Sequence, residues 1–456
     1  MAQHRLSSTR TLLALTLSLL ASAAGPQARG ASVLMISVDG LKPEYVLDAD
    51  AHGLKIPFLR GLMRDGSYAR GVIGVWPTVT YPSHTTLLTG LTPAQHGIYN
   101  NLEFDPRHTY ADSWYWYARQ IRVPTLWHAA HAAGMSTASI GWPVSVGAAD
   151  VDFLIPEYWR TFRPTADLDP SDADLMDALS RPEGMLGRMQ ARLGPYMSGN
   201  DPSPPGDEIK TRFALDILRT QKPKFMTIHL SSLDLEQHFH GPFSGEANRQ
   251  LEVIDAELEQ LFAAARGNDP RAIALVVSDH GFMPIIRQVN LMLPFLEANL
   301  IRGKGPWKAQ PWGAGGMAAV LFNRPADAKL EAQVRALLHT LQSDPRNGIA
   351  AILERDAIRQ HGAFPGAKFL VVMQPGYYVI TDAISPLVSD IPGSRGSHGF
   401  SPEYPQMRAS FFIAGEGIAH HRDLGLIDMR QIAPTVAQLL GVGLPTATRA
   451  ALAVRQ

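Results

Sequence analysis

No cysteine occurs among the 456 residues of this chain. That absence excludes disulfide bonds, a thiol nucleophile and a cysteine-borne lipid anchor. A charge surplus is missing too: 41 Lys and Arg stand against 42 Asp and Glu, a formal net charge of -1. Without a broad basic surface, a stable complex with duplex nucleic acid is not expected, and any nucleotide must be gripped locally. Apolar runs are short. The stretch LLALTLSLL at 12–20 falls well below the ~20 residues that cross a bilayer, and no other run approaches that length, so no membrane anchor is expected. There is no internal repeat and no long low-complexity tract.

What remains is a chain that is 45% hydrophobic and 18% charged, long enough to bury a large core and long for one simple domain. Its first residues read as an export leader: Arg5 and Arg10 form a positive region, 12–20 an apolar one, and Ala21-Ser22-Ala23 a small-residue cleavage site. The leader is therefore 1–23, with cleavage between 23 and 30 and a periplasmic or secreted mature protein.

The segment 77–101, PTVTYPSHTTLLTGLTPAQHGIYNN, sets one hydroxyl apart. Thr80 is the candidate nucleophile. Pro82 restricts the residue before it, so Tyr81 is expected to be extended and Pro82 to start a helix where a missing N–H is harmless. Gly90 can end that helix. A hydroxyl on the first turn faces unpaired backbone N–H groups and the positive end of the helix dipole, which favours a bound phosphate. A threonine still needs a base or a metal ion to become nucleophilic near neutral pH.

Carboxylates and imidazoles occur where strands end. The β-branched run at 31–38 (ASVLMISV) leads into Asp39, the run at 273–278 (IALVVS) into Asp279-His280, and the run at 225–229 into Asp234 with His238 four residues on. His398 sits in GSRGSHGF. Ligands in open α/β sheets collect at the carboxyl ends of strands, so these groups are expected to converge. Three Asp and three His supply two sets of three mixed oxygen and nitrogen ligands, a chemistry suited to two zinc ions.

The order Asp39, Thr80, Asn101, Asp234-x-x-x-His238, Asp279-His280, His398 resembles the type I phosphodiesterase / nucleotide pyrophosphatase family of the alkaline phosphatase superfamily, from about residue 31 to the LLG of the last helix. The resemblance implies that one zinc is held by Asp39, Asp279 and His280 and activates Thr80, and that another is held by Asp234, His238 and His398. It implies that Asn101 hydrogen-bonds a phosphoryl oxygen. It also implies a double displacement through a phosphothreonine diester, the two ions serving attacking and leaving oxygens in turn. The substrate class would be a phosphodiester or a phosphoanhydride, such as a nucleotide. Departures exist: Tyr81-Pro82-Ser83-His84 stands where the family often has Phe-Pro-Asn-His, and after Trp142-Pro143 the residues Val144-Ser145-Val146 match only in part.

Blander readings apply residue by residue. Sixteen histidines make chance pairs common, and His84, His96 and His240 read as structural. Asp39 or Asp279 alone would pass as a loop cap; their conjunction with the rest argues otherwise. The spacing from Asp234 puts His238 on the same helical face and favours it over His240. Tyr81 and Tyr158 are candidates for substrate contact, Tyr81 as a wall on which a base stacks. A phosphomonoesterase of the same superfamily would carry a Lys-x-Arg element after Trp142, which is absent. A lipid head-group phosphodiesterase is a further alternative. A sulfatase needs a Cys or Ser before x-Pro-x-Arg, and a purely structural protein needs neither metal set.

The expected architecture is α/β: an alkaline-phosphatase-like layered core with a central, mostly parallel β-sheet flanked by helices, spanning 31–285 and 396–450. A cap-like insertion is expected at 160–208, with a helical pattern over 171–193 that Pro182 should break. A small α+β subdomain is expected at 290–393. Residues 246–265 form an amphipathic core helix pattern through Leu251, Ile254, Leu258, Leu261 and Phe262, and 428–440 a last core helix.

Overall fold

The computed structural model describes residues 30–107, 113–160, 171–197, 201–302, 306–324 and 327–456. The expected leader at 1–23 and parts of the expected cap, 161–170 and 198–200, lie outside the described residues. At the centre is an eight-stranded sheet in the spatial order Arg422–Asp423, Ser67–Tyr68, Phe411–Ala414, Ile273–Val277, Val33–Val38, Phe225–Leu230, Thr137–Ile140, Phe153–Ile155. The last five run parallel to one another, and Phe411–Ala414 runs antiparallel to both of its neighbours.

Strand Val33–Val38 shows why both faces are covered. Its side chains alternate. Leu34, Ile36 and Val38 enter one core with Phe213 and Ile217 of helix Pro204–Gln221 and with Leu251, Ile254, Leu258 and Leu261 of helix Gly245–Asn268. Val33 and Met35 enter the opposite core, with Leu87 and Leu88 of helix Thr80–Thr89 and Val436 of helix Ile432–Leu440. A parallel sheet buried on both sides reads as unbroken apolar runs, as these strands do. The expected layered α/β core is present.

Register then brings the loops together. Val38 pairs with Leu230 and Ser37 with Val277, so Asp39, the Ser232–His240 helix and Asp279 all leave the sheet at one edge. The helical pattern at 171–193 divides around Pro182 into Asp172–Leu179 and Met185–Leu193.

The boundaries expected at 290 and 393 fall within paired strands. Strand Met283–Asn290 pairs with Tyr377–Ile380 and Val388–Ser397, so the chain enters and leaves the insertion along one antiparallel ladder that ends just before His398. Beyond it lies a four-stranded antiparallel sheet in the order Ile349–Glu354, Phe369–Met373, Met317–Phe322, Ala309–Gly313, covered by Leu330, Val334, Leu338 and Leu341 of helix Ala328–Ser343.

Candidate active site

Thr80, 9% exposed, is the first residue of helix Thr80–Thr89. Val79 before it is extended (φ -127°, ψ 159°), and Gly90 ends the helix at φ 70° with its N–H on the Thr86 carbonyl. The helix thus starts before Pro82, and Tyr81 is helical rather than extended. The reason is local. The first three N–H groups of any helix lack intrahelical partners, so proline is still harmless there, and the Tyr81 N–H donates to Asn101 Oδ1 at 2.9 Å, which holds the turn against the pre-proline preference. With its oxygen occupied, the Asn101 amide keeps its N–H₂ for another acceptor.

Asp39, Asp279 and His280 meet beside the threonine. Thr80 Oγ1 lies 3.4 Å from His280 Nε2. That nitrogen is 3.1 Å from Asp279 Oδ2 and 3.4 Å from Asp39 Oδ1. Asp234 and His238 stand one helical turn apart with Oδ2 and Nε2 separated by 3.4 Å, and His398 Nε2 is 3.8 Å from Asp234 Oδ1. The His280 and His398 rings stack at 3.7 Å, 10° from parallel. Donor atoms of Asp39, Asp279 and His280 lie within 4.8 Å of one another, and so do those of Asp234, His280 and His398. His280 therefore touches both groups, and His238 stands at the rim, in contact with Asp234. This differs from two separate triads.

Hydrogen bonding shows what the cluster lacks. The ring Nδ1 of His280 faces the Gly281 carbonyl, that of His398 the Thr78 carbonyl and that of His238 the Gly396 carbonyl, at 3.1 to 3.2 Å. A neutral ring that donates from Nδ1 presents a bare lone pair at Nε2. Opposite those lone pairs, Asp39 Oδ1, Asp234 Oδ1 and Asp279 Oδ2 are buried without any hydrogen-bond partner. Among the described residues no Lys or Arg pairs with these carboxylates. Acceptors facing acceptors at 3 to 4 Å are what a cation resolves, and the donor set of carboxylate oxygen and imidazole nitrogen fits zinc.

Burial pushes the Asp39 carboxyl well above the usual range, with Asp279 and Asp234 adding to it. Burial likewise raises Asp234, and raises Asp279 to about 6. His280 is held well below its ordinary value by burial and by the neighbouring rings, and His398 is lowered to about 3, chiefly by burial. These are the neutral imidazoles that a metal site requires.

His84 packs behind Thr80. Its Nδ1 faces the Thr80 carbonyl at 2.8 Å and its Nε2 the Ser37 hydroxyl at 2.9 Å. His96 is enclosed next to Thr86, and His240 faces Glu236 on the surface.

Tyr81 departs from its expected role as a stacking wall. It is 1% exposed, its ring packs against Trp114 and Trp116, and its hydroxyl donates to Glu157 Oε1 at 2.5 Å. A buried carboxylate has drawn the phenol inward, so no face is open to a base. Tyr158 is half-buried against Trp116 in the same aromatic cluster.

Glu157 and His229 were not singled out from the sequence. His229 lies inside a strand run, and Glu157 is the neighbour of the tyrosine that was chosen instead. His229 Nε2 donates to Asp39 Oδ2 at 3.0 Å and its Nδ1 faces Glu157 Oε2 at 3.0 Å. Burial disfavours charge on this ring, yet the hydrogen bonds to Asp39 and Glu157 outweigh it and push the pKa up to about 10.

The family described as type I phosphodiesterase / nucleotide pyrophosphatase matches residues 33–401, from the central strand to just past His398. The chain belongs to that family. Ectonucleotide pyrophosphatase/phosphodiesterase family member 1 of Rattus norvegicus is 23% identical over 258 residues, 54% of this chain and 24% of that protein. Venom phosphodiesterase 2 of Crotalus adamanteus is 23% identical over 263 residues, 56% of this chain and 27% of that protein. The chain thus spans about a quarter of the length of these relatives. Murine ectonucleotide pyrophosphatase / phosphodiesterase 5 shares the fold at a TM-score of 0.64 and 17% identity, covering 92% of this chain and 97% of that one. An inactive threonine-to-alanine variant of that protein in complex with AMP aligns equally well, at a TM-score of 0.64.

Proposed function

We propose that this family member is an exported, two-zinc hydrolase of phosphodiester or phosphoanhydride bonds that works through a covalent phosphothreonine on Thr80. The observation that carries the reading is the Thr80 hydroxyl, 3.4 Å from His280 Nε2, at the edge of a cluster whose carboxylate oxygens Asp39 Oδ1, Asp234 Oδ1 and Asp279 Oδ2 have no partner. Asp39, Asp279 and His280 would hold one ion; Asp234 and His398 would hold the other, with His238, 3.4 Å from Asp234 at the rim, completing that set in place of the shared His280. Bound zinc would supply the positive charge that lowers the pKa of a hydroxyl or water and offsets charge on the leaving oxygen.

The side chains do the rest. Thr80 Oγ1 gives its proton to solvent and forms a bond to phosphorus as the bond to the leaving oxygen breaks, and that oxygen takes up a proton from solvent. Water then attacks the phosphothreonine from the opposite side and frees the hydroxyl. Asn101, its Oδ1 anchored by the Tyr81 N–H, presents its amide hydrogens to a phosphoryl oxygen; the first helical turn adds little, because the Tyr81 N–H is taken by Asn101, Pro82 has none and the Ser83 N–H bonds the Val79 carbonyl. A diester suits a site with a single amide contact, because it carries one negative charge fewer than a monoester. The family name and the AMP held by the murine relative support a nucleotide as substrate. Among the described residues no helix is long and apolar enough to cross a membrane.

Hydrolysis of bis-p-nitrophenyl phosphate against p-nitrophenyl phosphate tests the reading. Higher catalytic efficiency on the diester supports it, and a preference for the monoester overturns it.

A further inference from the structure

One buried network runs behind the nucleophile. The Tyr81 N–H donates to Asn101 Oδ1 at 2.9 Å, and the Tyr81 hydroxyl to Glu157 Oε1 at 2.5 Å. The other oxygen of Glu157 faces His229 Nδ1 at 3.0 Å, and His229 Nε2 donates to Asp39 Oδ2, also at 3.0 Å. Glu157 and His229 are 3% and 2% exposed, and the Glu157 N–H is fixed on Ser145 Oγ at 3.3 Å. The hydrogen bonds of the two side chains go to Tyr81, Asp39, Gly141 and one another.

Each carboxylate in the network has two oxygens. Glu157 uses both, one for Tyr81 and one for His229. Asp39 gives Oδ2 to His229 and leaves Oδ1 without a partner, 3.4 Å from His280 Nε2. A carboxylate held in this way can offer an ion one oxygen in one direction, whereas a free one could rotate or chelate with both. The imidazole holds that pose through its far nitrogen, which faces Glu157 Oε2 at 3.0 Å and the Gly141 carbonyl at 3.1 Å, and of the two only Glu157 brings charge.

We propose that Glu157 and His229 are positioning residues that make Asp39 a one-oxygen metal ligand, and that Glu157, through Tyr81, sets the first turn of the Thr80 helix in register with that ligand. This rests on the two-metal reading of the site. Its consequence is asymmetric: loss of Glu157 should loosen the ion beside Asp39 and leave the ion beside Asp234, His238 and His398 in place.

The test is a chelator titration of the zinc-loaded full chain, followed by elemental analysis of the metal retained, for wild type, Glu157→Gln, His229→Gln and His229→Ala. Glutamine at 157 can accept from Tyr81 or His229 but not both. One of the two ions should then leave at a 10- to 100-fold lower free chelator concentration. His229→Gln, whose amide N–H can still reach Asp39, should hold that ion better than His229→Ala. The second ion is an internal control for folding. Equal retention of both ions in every variant, or joint loss of both, overturns the proposal. A wild-type protein without two ions overturns the metal reading beneath it instead.

Discussion

Asp279→Asn should make the metal-free protein more stable while removing an ion from the loaded one. The Asp279 side chain is fully enclosed: Oδ1 accepts the Gly40 N–H at 3.1 Å, and Oδ2 faces His280 Nε2 without a hydrogen bond. Burial raises its pKa from the ordinary 3.8 to about 6. A folded-state carboxyl pKa above the unfolded value means that stability is present below pH ~4 and is lost as pH rises through ~6. At pH 8 the ionised group therefore destabilises the metal-free fold by about 3 kcal/mol. Asparagine keeps the shape and the bond to Gly40 and carries no charge. With roughly 2.1 cal/mol/K of unfolding entropy per residue, the 404 described residues make 3 kcal/mol worth about 3.5 °C in melting temperature. Melting curves in excess chelator at pH 8 should place the variant higher by about that amount, with the difference closing near pH 4. With zinc added, the order should reverse, because binding to the folded state raises stability and the variant lacks one ligand. A metal-free variant that melts at or below the wild type at pH 8, or one that gains as much from zinc, would refute the reasoning.

Thr80→Ala should retain metal and melting behaviour while losing at least ~10³-fold in turnover, and Thr80→Ser should keep part of the activity; full activity in the alanine variant would move the nucleophile, with Thr78 and Ser83 nearest. Asn101→Ala removes both the phosphoryl contact and the acceptor for the Tyr81 N–H, so kcat on a diester should fall about 10²- to 10³-fold, and an unchanged kcat would count against that role. Glu257, buried with Oε2 unpartnered, has its pKa raised by burial to about 8, so Glu257→Gln should melt higher than wild type above pH 8, with the gap narrowing toward pH 5; a gap that does not change with pH would show that its charge is not the cause.

Much of the core was legible because its signals are local. The runs that end in Asp39, Asp234 and Asp279 carry their own β-branched pattern, and the strands Val33–Val38, Phe225–Leu230 and Ile273–Val277 occupy those places. A proline and a glycine bracket the Thr80 helix closely enough to find it, though its start came earlier because a long-range bond from Asn101 outweighs a nearest-neighbour preference.

What was illegible depends on pairs far apart in the chain. Glu157 and His229 are 72 residues apart, and His229 and Asp39 are 190 apart, so nothing in the local pattern ties them together. Tyr81 was assigned to a substrate wall because it adjoins Thr80, and only the position of Glu157 shows why the ring is drawn inward. The boundaries expected at 290 and 393 fall within paired strands for a related reason: Met283–Asn290 reads as the tail of the core until its partner Val388–Ser397 is known.

The most direct measurement is zinc content and diester turnover followed in one sample as a chelator withdraws the metal. Two zinc ions per chain, with hydrolysis of bis-p-nitrophenyl phosphate disappearing as they leave and returning when zinc is restored, is the predicted result. A chain that keeps full diesterase activity after its metal has gone would contradict the assignment of Asp39, Asp234, His238, Asp279, His280 and His398 as its ligands and of Thr80 as the group they serve.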